Sequence, residues 1–486
     1  MSCPKAEPRA CSPAAGGISG IVSPVTPERR RASGPNLRKL HMHSVNPHMI
    51  LVGAYERDNF GDLLFLLQTR HYAGSISSNV VASAPFSANA GGPLPESVEQ
   101  YASAIARRPP DAVWAVGGEV GSTSVADAFL MSASSSDFSD YQSRSKRARA
   151  RYLRGATGLD PSALAYLPRM SAVPHTHGSA LIVNSVGLSG LRGLWGSRRE
   201  NAIESLREAT FISVRDQSSS DFLRTLSIEH RLAPDLIHSI SLNHEPGGEP
   251  EPDVALIQVK SKVLTQYGPE IFADTLSKSR ELKNFRLRLF PAGLARGHDS
   301  LELYARVVRS FRKLAPAREI SISRSLLPWE KADEIARCGL WIGTSLHGLI
   351  VSTAYDVPRV GLELQKLVSY GETWGESMPV GVSLHDLDGA VEQALVRATT
   401  SRTSGRAFEL AHMAEANAKS AVAELLNNVN VEARTEDRAV RDIQISKRRS
   451  SVGMRLRDSS LLPMAFDSSL GKAFRRNPLL RKVFGR

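Results

Sequence analysis

Cysteine is scarce: three residues (Cys3, Cys11 and Cys338) in a chain of 486. They are too few and too scattered for a disulfide framework or a zinc site, which leads us to expect a reducing, cytoplasmic setting. No apolar run approaches the roughly 20 residues that a membrane span needs. The first residues, MSCPKAEPRACSPAAGG, lack the apolar stretch of a secretory signal. There is no GxxxxGK(S/T) loop, which speaks against ATP hydrolysis, and no GxGxxG fingerprint. No cluster of His, Cys, Asp and Glu shows ligand spacing, so neither a metal nor a cofactor is expected.

What is present is ordinary for a globular protein: 42% hydrophobic and 23% charged residues, with length for two or three domains. The net charge of +12 is uneven. Residues 1–47 hold 7 basic and 2 acidic residues (+5), and residues 437–486 hold 13 and 4 (+9), which leaves 12 − 5 − 9 = −2 for the middle. A nearly neutral body argues against a basic nucleic-acid cleft, and no nucleic-acid partner is expected.

Residues 1–47, rich in Pro, Ser, Gly and Arg, read as disordered. From His48 an alternating series begins. The apolar strands MILVGAY (49–55), DAVWAVGGEVG (111–121), ALIVNSVGLSG (180–190) and TFISVRD (210–216) each run into a polar or glycine turn. The segment 129–178, with its serine cluster and SRSKRARARYLRG (143–155), reads as an insertion or lid with a basic helix, or else as a solvated loop. After the breaker EPGGEPEPD (245–253) a second series runs through strands in 254–262, 284–293, 319–326, 338–345 and 357–363, with helices at 301–314 and 329–337. Residues 401–436 contain an alanine-rich amphipathic helix, and 437–486 form a basic tail. Two successive βα blocks predict an α/β protein of two Rossmann-like, doubly wound parallel-sheet domains, 48–245 and 250–400, facing a cleft. Ligands bind beyond the carboxyl ends of such strands.

That rule selects residues. At the end of the first strand lies YERDNFGDLL (55–64), where Gly61 permits a tight turn and Asp62 opens a helix, either as a cap or as a substrate contact. Gly117 and Gly118 would let a ligand approach the backbone. Arg215 ends its strand, where its fork can hold a carboxylate or phosphate, or pair with Asp216 or another acid. Lys260 occupies the matching place in the second half. In GTSLHGLIVSTAYDVP (343–358), Thr344 or Ser345 can cap a helix whose first turn carries His347. The positive helix end should disfavour the imidazolium until an anion binds, or the ring is simply packed.

NFGD, AVGGE with Asp111 before its strand, SVG, ISVRD with Ser218 or Ser219 following, APD and TSLHGLI…DVP stand in this order. Over about residues 49–375 the chain resembles the polysaccharide pyruvyl transferase family. The resemblance implies a GT-B-like architecture and transfer of pyruvate from phosphoenolpyruvate onto sugar hydroxyls of a cell-surface polysaccharide or its lipid-linked precursor, as a ketal. Arg215 then falls at a donor-binding arginine and His347 at the family's central histidine. Many members have Arg-Leu-His where this chain has Ser345-Leu346-His347, and a tyrosine common shortly before a lysine is altered in LELQK (362–366). Lys260, Lys366 or a residue of the basic 144–154 segment would have to supply the missing cation.

Such chemistry needs cations for two anionic groups, an acid for the methylene and a base for the hydroxyl. The resulting assignments are His347 and Asp62 as catalytic groups, with Asp216 and Glu363 as alternative bases. Arg215, Thr344, Ser345, Lys260 and Lys366 are expected to hold the donor, and Asn59, Gly61, Gly117 and Gly118 the acceptor. The basic tail, mixed with Leu, Phe and Val, fits peripheral contact with the inner face of a membrane, or a solvated tail. Two other readings remain: a GT-B glycosyltransferase using a nucleotide sugar, and a non-catalytic glycan-binding relative.

Overall fold

The computed structural model describes residues 46–176, 178–400 and 404–429. The basic tail and most of the N-terminal segment expected to be disordered lie outside these residues. Of that segment Asn46 and Pro47 are described. The Asn46 side chain accepts from Ser77 Oγ at 2.7 Å and from Ser78 N at 3.0 Å, which ties it to the turn before Val80.

The first sheet has seven parallel strands. In chain order they are β1 (Met49–Val52), β2 (Val80–Ala84), β3 (Glu99–Gln100), β4 (Ala112–Val116), β5 (Ala180–Val186), β6 (Phe211–Val214) and β7 (Arg231–Leu232), and in space they run β3-β2-β1-β4-β5-β6-β7. The second sheet has β8 (Glu251–Gln258), β9 (Arg286–Leu289), β10 (Ile320–Ile322), β11 (Cys338–Gly343) and β12 (Arg359–Gly361), ordered β10-β9-β8-β11-β12 and also parallel throughout. Parallel sheets are covered on both faces, so their central strands are continuous apolar runs. In β4 (AVWAV) every residue is buried, as in β1 (MILV). Trp114 and Trp341, at the centres of the two sheets, are fully buried.

In both sheets the strand order reverses beside the first strand, between β1 and β4 and between β8 and β11. Loops leaving the two strands at such a point diverge to opposite faces and open a crevice. Residues 53–59 and Gly117–Gly118 border the first crevice. Residues 259–260 and 344–347 border the second.

The segment 129–178 is largely helical. Helices Val125–Ser132, Ser135–Ser143 and Lys146–Thr157 enclose a small core of Phe129, Tyr141 and Leu153. Each starts at a serine whose hydroxyl accepts from a backbone N–H three residues on. The helix in the C-terminal region spans Ser404–Asn428 and crosses back onto the first sheet. There buried Asn417 donates to Asn184 Oδ1 at 2.7 Å and to Ser213 Oγ at 2.9 Å, joining this helix to β5 and β6.

Candidate active site

The helix after β1 (Phe60–Gly74) and the helix after β11 (Leu346–Ala354) meet at their N-termini. The contact is specific. A Cβ on Gly61 would lie 1.7 Å from Nδ1 of His347, so only a bare Cα leaves room for the imidazole. Phe65, one turn further along, sets the edge of its ring against His347 at 5.1 Å between centroids. The same phenyl ring fills the space beside Gly117, whose Cβ would lie 2.2 Å from it and whose φ is +65°. Gly61 and Gly117, expected to receive the acceptor, therefore do not line the cleft; each makes room for a ring. Gly118 (φ +68°) does line it.

The cleft is a cavity of about 670 Å³ lined from both halves of the molecule, a size suited to a small ligand. On one wall, Arg215 Nη1 donates to Asp235 Oδ2 at 2.7 Å and faces His347 Nε2 at 3.3 Å. Asp235 is fully buried and its other oxygen accepts from Ile237 N. Burial would lower the guanidinium's pKa, but Asp235 more than offsets it, and Arg215 stays charged. Its partner is not Asp216. That carboxylate caps the helix Gln217–Thr225, accepting from Ser219 N at 2.8 Å, though it does line the cavity.

A guanidinium only donates, so Nε2 of His347 accepts and the neutral ring carries its proton on Nδ1. Desolvation holds the imidazole well below its usual range, and the positive charges of Arg215 and Lys366 push in the same direction. The sequence led us to expect a neutral imidazole from the helix end alone; burial and these two cations are the operative causes.

Lys260 and Lys366 line the opposite side. Among the described residues neither makes an ion pair. Lys366 is crowded by protein yet remains accessible to the solvent of the cleft. Desolvation, then Lys260 and Arg215, push its ammonium down to about 8. Since solvent limits the first effect, repulsion between cations is the durable part.

Thr344 lies at the end of β11 with its donors already used. Its N–H and hydroxyl both reach Gln258 Oε1 at 3.1 Å, and its Oγ1 accepts from Lys260 N. Ser345 Oγ accepts from Gly348 N at 3.2 Å as the cap of the His347 helix. The first N–H groups of this helix, those of Leu346 and His347, lack intrahelical acceptors, whereas that of Thr344 is already used.

Asp62 is 7% exposed and lines the cavity. Arg57 Nη2 at 3.1 Å and Asn59 Nδ2 at 2.7 Å both donate to its Oδ2. Oδ1 lies beside Gly118 and takes no hydrogen bond from the described residues. Glu363, the other candidate base, is exposed and does not line the cavity. No residue of 144–154 lines it either.

The sequence reading passed over Gln258, His298 and Asp299, which also line the cavity. Desolvation drives His298 down to about 4, so it is neutral near pH 7. Asp299 is pushed up to about 7 by burial, against hydrogen bonds from Ala292 N and Gln258 Nε2. Gln258 therefore ties the Asp299 loop to Thr344, and so to the helix bearing His347. Extending the strand-end rule to the loop after β9 (FPAGLARGHDS) would have found the pair. Among the described residues no group of three or more His, Cys, Asp and Glu is arranged to hold a metal ion.

No curated protein matches the chain in sequence. Among solved structures it is similar to the UDP-GlcNAc 2-epimerase of Methanocaldococcus jannaschii, with 13% identity over 61% of this chain and 72% of that one and a TM-score of 0.36. The Neisseria meningitidis UDP-GlcNAc 2-epimerase shares 11% identity over 67% and 79% of the two chains, with a TM-score of 0.37. S. aureus MnaA, solved with UDP, shares 10% over 76% and 91%, with a TM-score of 0.43. Scores this low carry no argument about the present chain. The sequence match is of another kind: the family model described as polysaccharide pyruvyl transferase matches residues 59–365, from the Asn59 that holds Asp62 to the position before Lys366, across both sheets and the cleft between them. The chain belongs to the polysaccharide pyruvyl transferase family and is an enzyme of that type, acting on a glycan in polysaccharide biosynthesis.

Proposed function

We propose that this enzyme takes its pyruvyl group from phosphoenolpyruvate and joins it as a ketal to two hydroxyls of a sugar residue. The observation that carries the reading is the group of cations acting on His347. Arg215 is paired with Asp235, and Lys260 and Lys366 make no ion pair among the described residues, with Asp62 and Asp299 acting on Lys366 from further off. Cations held this close repel one another, and a bound anion with a carboxylate and a phosphate relieves that repulsion. The two lysines supply the charge that Ser345 does not.

Anion binding raises the pKa of His347, which gains a proton on Nε2. The imidazolium then protonates the donor's methylene, and the adjacent carbon becomes electrophilic. A sugar hydroxyl attacks that carbon and gives its proton to Oδ1 of Asp62, held through Oδ2 by Arg57 and Asn59. The bond from carbon to the phosphate oxygen breaks and phosphate leaves. The second hydroxyl adds to the same carbon, gives its proton to the released phosphate and closes the ketal. A lipid-linked acceptor, and contact of the basic tail with the membrane that carries it, fit this reading. No helix among the described residues is long and apolar enough to cross a membrane.

A thermal-shift panel tests the donor. Phosphoenolpyruvate at many times its dissociation constant should raise the melting temperature by several degrees through mass action, while nucleotide sugars leave it unchanged. Stabilisation by a uridine diphosphate sugar and none by phosphoenolpyruvate would turn the site over to glycosyl transfer.

A further inference from the structure

Trp195 is 85% exposed, and no other large apolar side chain among the described residues is as open. It stands at the N-terminal end of the helix Gly196–Arg207, in extended conformation and without a capping role. Its position is fixed from both sides by contacts to segments that line the cleft. Six residues earlier, Ser189 Oγ donates to Glu119 Oε2 at 2.9 Å, and both residues line the cavity. Three residues earlier, Arg192 donates to the carbonyl of Ser218, another lining residue. Three residues later, Arg198 donates to the carbonyl of Ser122, next to the lining residue Thr123. Trp195 thus begins the helix that follows β5, on the carboxyl-end side of the first sheet, in a segment tied to the wall that carries Glu119.

From this we infer that Trp195 is a glycan-binding subsite: its indole face stacks on a pyranose ring of the acceptor chain beyond the sugar residue that reacts. The inference rests on the pyruvyl-transfer reading of the cleft. A pyranose presents a flat face of C–H groups edged by hydroxyls. An indole matches it with a large, rigid apolar face at small entropic cost. A polysaccharide is longer than the cavity, so its neighbouring residues must leave over the rim. The ties of this segment to the cleft wall favour a sugar over an anionic lipid surface. The nearby arginines are already engaged, Arg192 with Ser218, Arg198 with Ser122 and Arg199 over the ring of Phe222 at 5.5 Å. These contacts turn the guanidinium groups toward the protein without cancelling their charge, and the vesicle arm of the test below separates a sugar from a lipid surface.

The test uses the full-length enzyme, phosphoenolpyruvate, and the polysaccharide of the source cells after mild acid has removed its ketals. Trp195→Ala should raise KM for the polysaccharide on the order of tenfold. It should leave KM for phosphoenolpyruvate and the melting temperature as in the wild type, and Trp195→Tyr should recover most of the loss. An unchanged polysaccharide KM in Trp195→Ala overturns the subsite. So does a variant that keeps its KM but no longer floats with phosphatidylglycerol vesicles that the wild type binds, since the indole then serves a membrane. If the wild-type enzyme transfers no pyruvate to this acceptor, the functional reading fails first and the subsite falls with it.

Discussion

Replacing Arg215 with alanine should destabilise the protein by about 3–5 kcal/mol and abolish turnover. The stability loss comes from Asp235, fully buried and left with a charge whose guanidinium partner, at 2.7 Å, has gone. The loss of turnover comes from the other side of the same guanidinium, which faces His347 Nε2 across 3.3 Å in the cavity. The two effects separate in a double variant. Arg215→Ala with Asp235→Asn removes the stranded charge while keeping an acceptor for Ile237 N, so chemical denaturation should show most of the stability restored. Phosphate release should stay absent. Wild-type stability in the single variant, or turnover in the double one, would mean that the pair neither braces the fold nor serves the donor.

His347→Ala should leave the fold intact, with unfolding free energy changed by about 1–2 kcal/mol, while turnover falls about 10²–10⁴-fold. The ring stands against Phe65 at the cleft wall and is not a core side chain, so its loss costs little packing. Gly61→Ala is the companion variant. It leaves the imidazole in the chain but places a methyl where the ring now lies, since that Cβ would fall 1.7 Å from Nδ1. An imidazole forced off its position by that much should cost about 10²-fold in rate. Single-turnover phosphate release measures both. Near-normal rates in His347→Ala, or in Gly61→Ala, would remove the imidazole from the chemistry.

Much of the frame could be read from the sequence, because strands buried on both faces are apolar runs and each ends in a recognisable turn. β1, β4, β5 and β6 were legible for that reason, as were all five strands of the second sheet. β2 was not: VVASA has small residues and no strong period, and its neighbour β3, like β7 at the other edge, is two residues long. The rule that strand ends bear the site found Arg215, Lys260, His347 and Asp62, all of which line one cavity. It did not tell what a glycine is for. A bare Cα announces a close approach without saying whether a ligand or a ring makes it, and at Gly61 and Gly117 the answer is His347 and Phe65. Nor can local sequence name a partner 20 positions away: Arg215 could be paired with Asp216 or another acid, and it is Asp235 that holds it. Gln258, His298 and Asp299 share a second reason. Their roles come from burial and from hydrogen bonds between loops, and neither leaves a periodic trace. Ser345 illustrates the reverse: the position lacks the arginine common in the family, and here its hydroxyl caps the very helix that presents His347.

The central claim is that burial and the cations of the cleft keep His347 neutral until an anionic donor arrives. Burial and neighbouring cations hold His347 well below its usual range and push Lys366 down to about 8, so an anion that raises both must draw protons from solution as it binds. Binding that consumes protons weakens as pH rises, most steeply above 8, where the lysine must also be charged anew. The most direct measurement is calorimetric titration of phosphoenolpyruvate at pH 8 in two buffers of different ionisation enthalpy. The account predicts net uptake of about one proton or more per donor bound. Binding with no proton uptake, or with release, would contradict it.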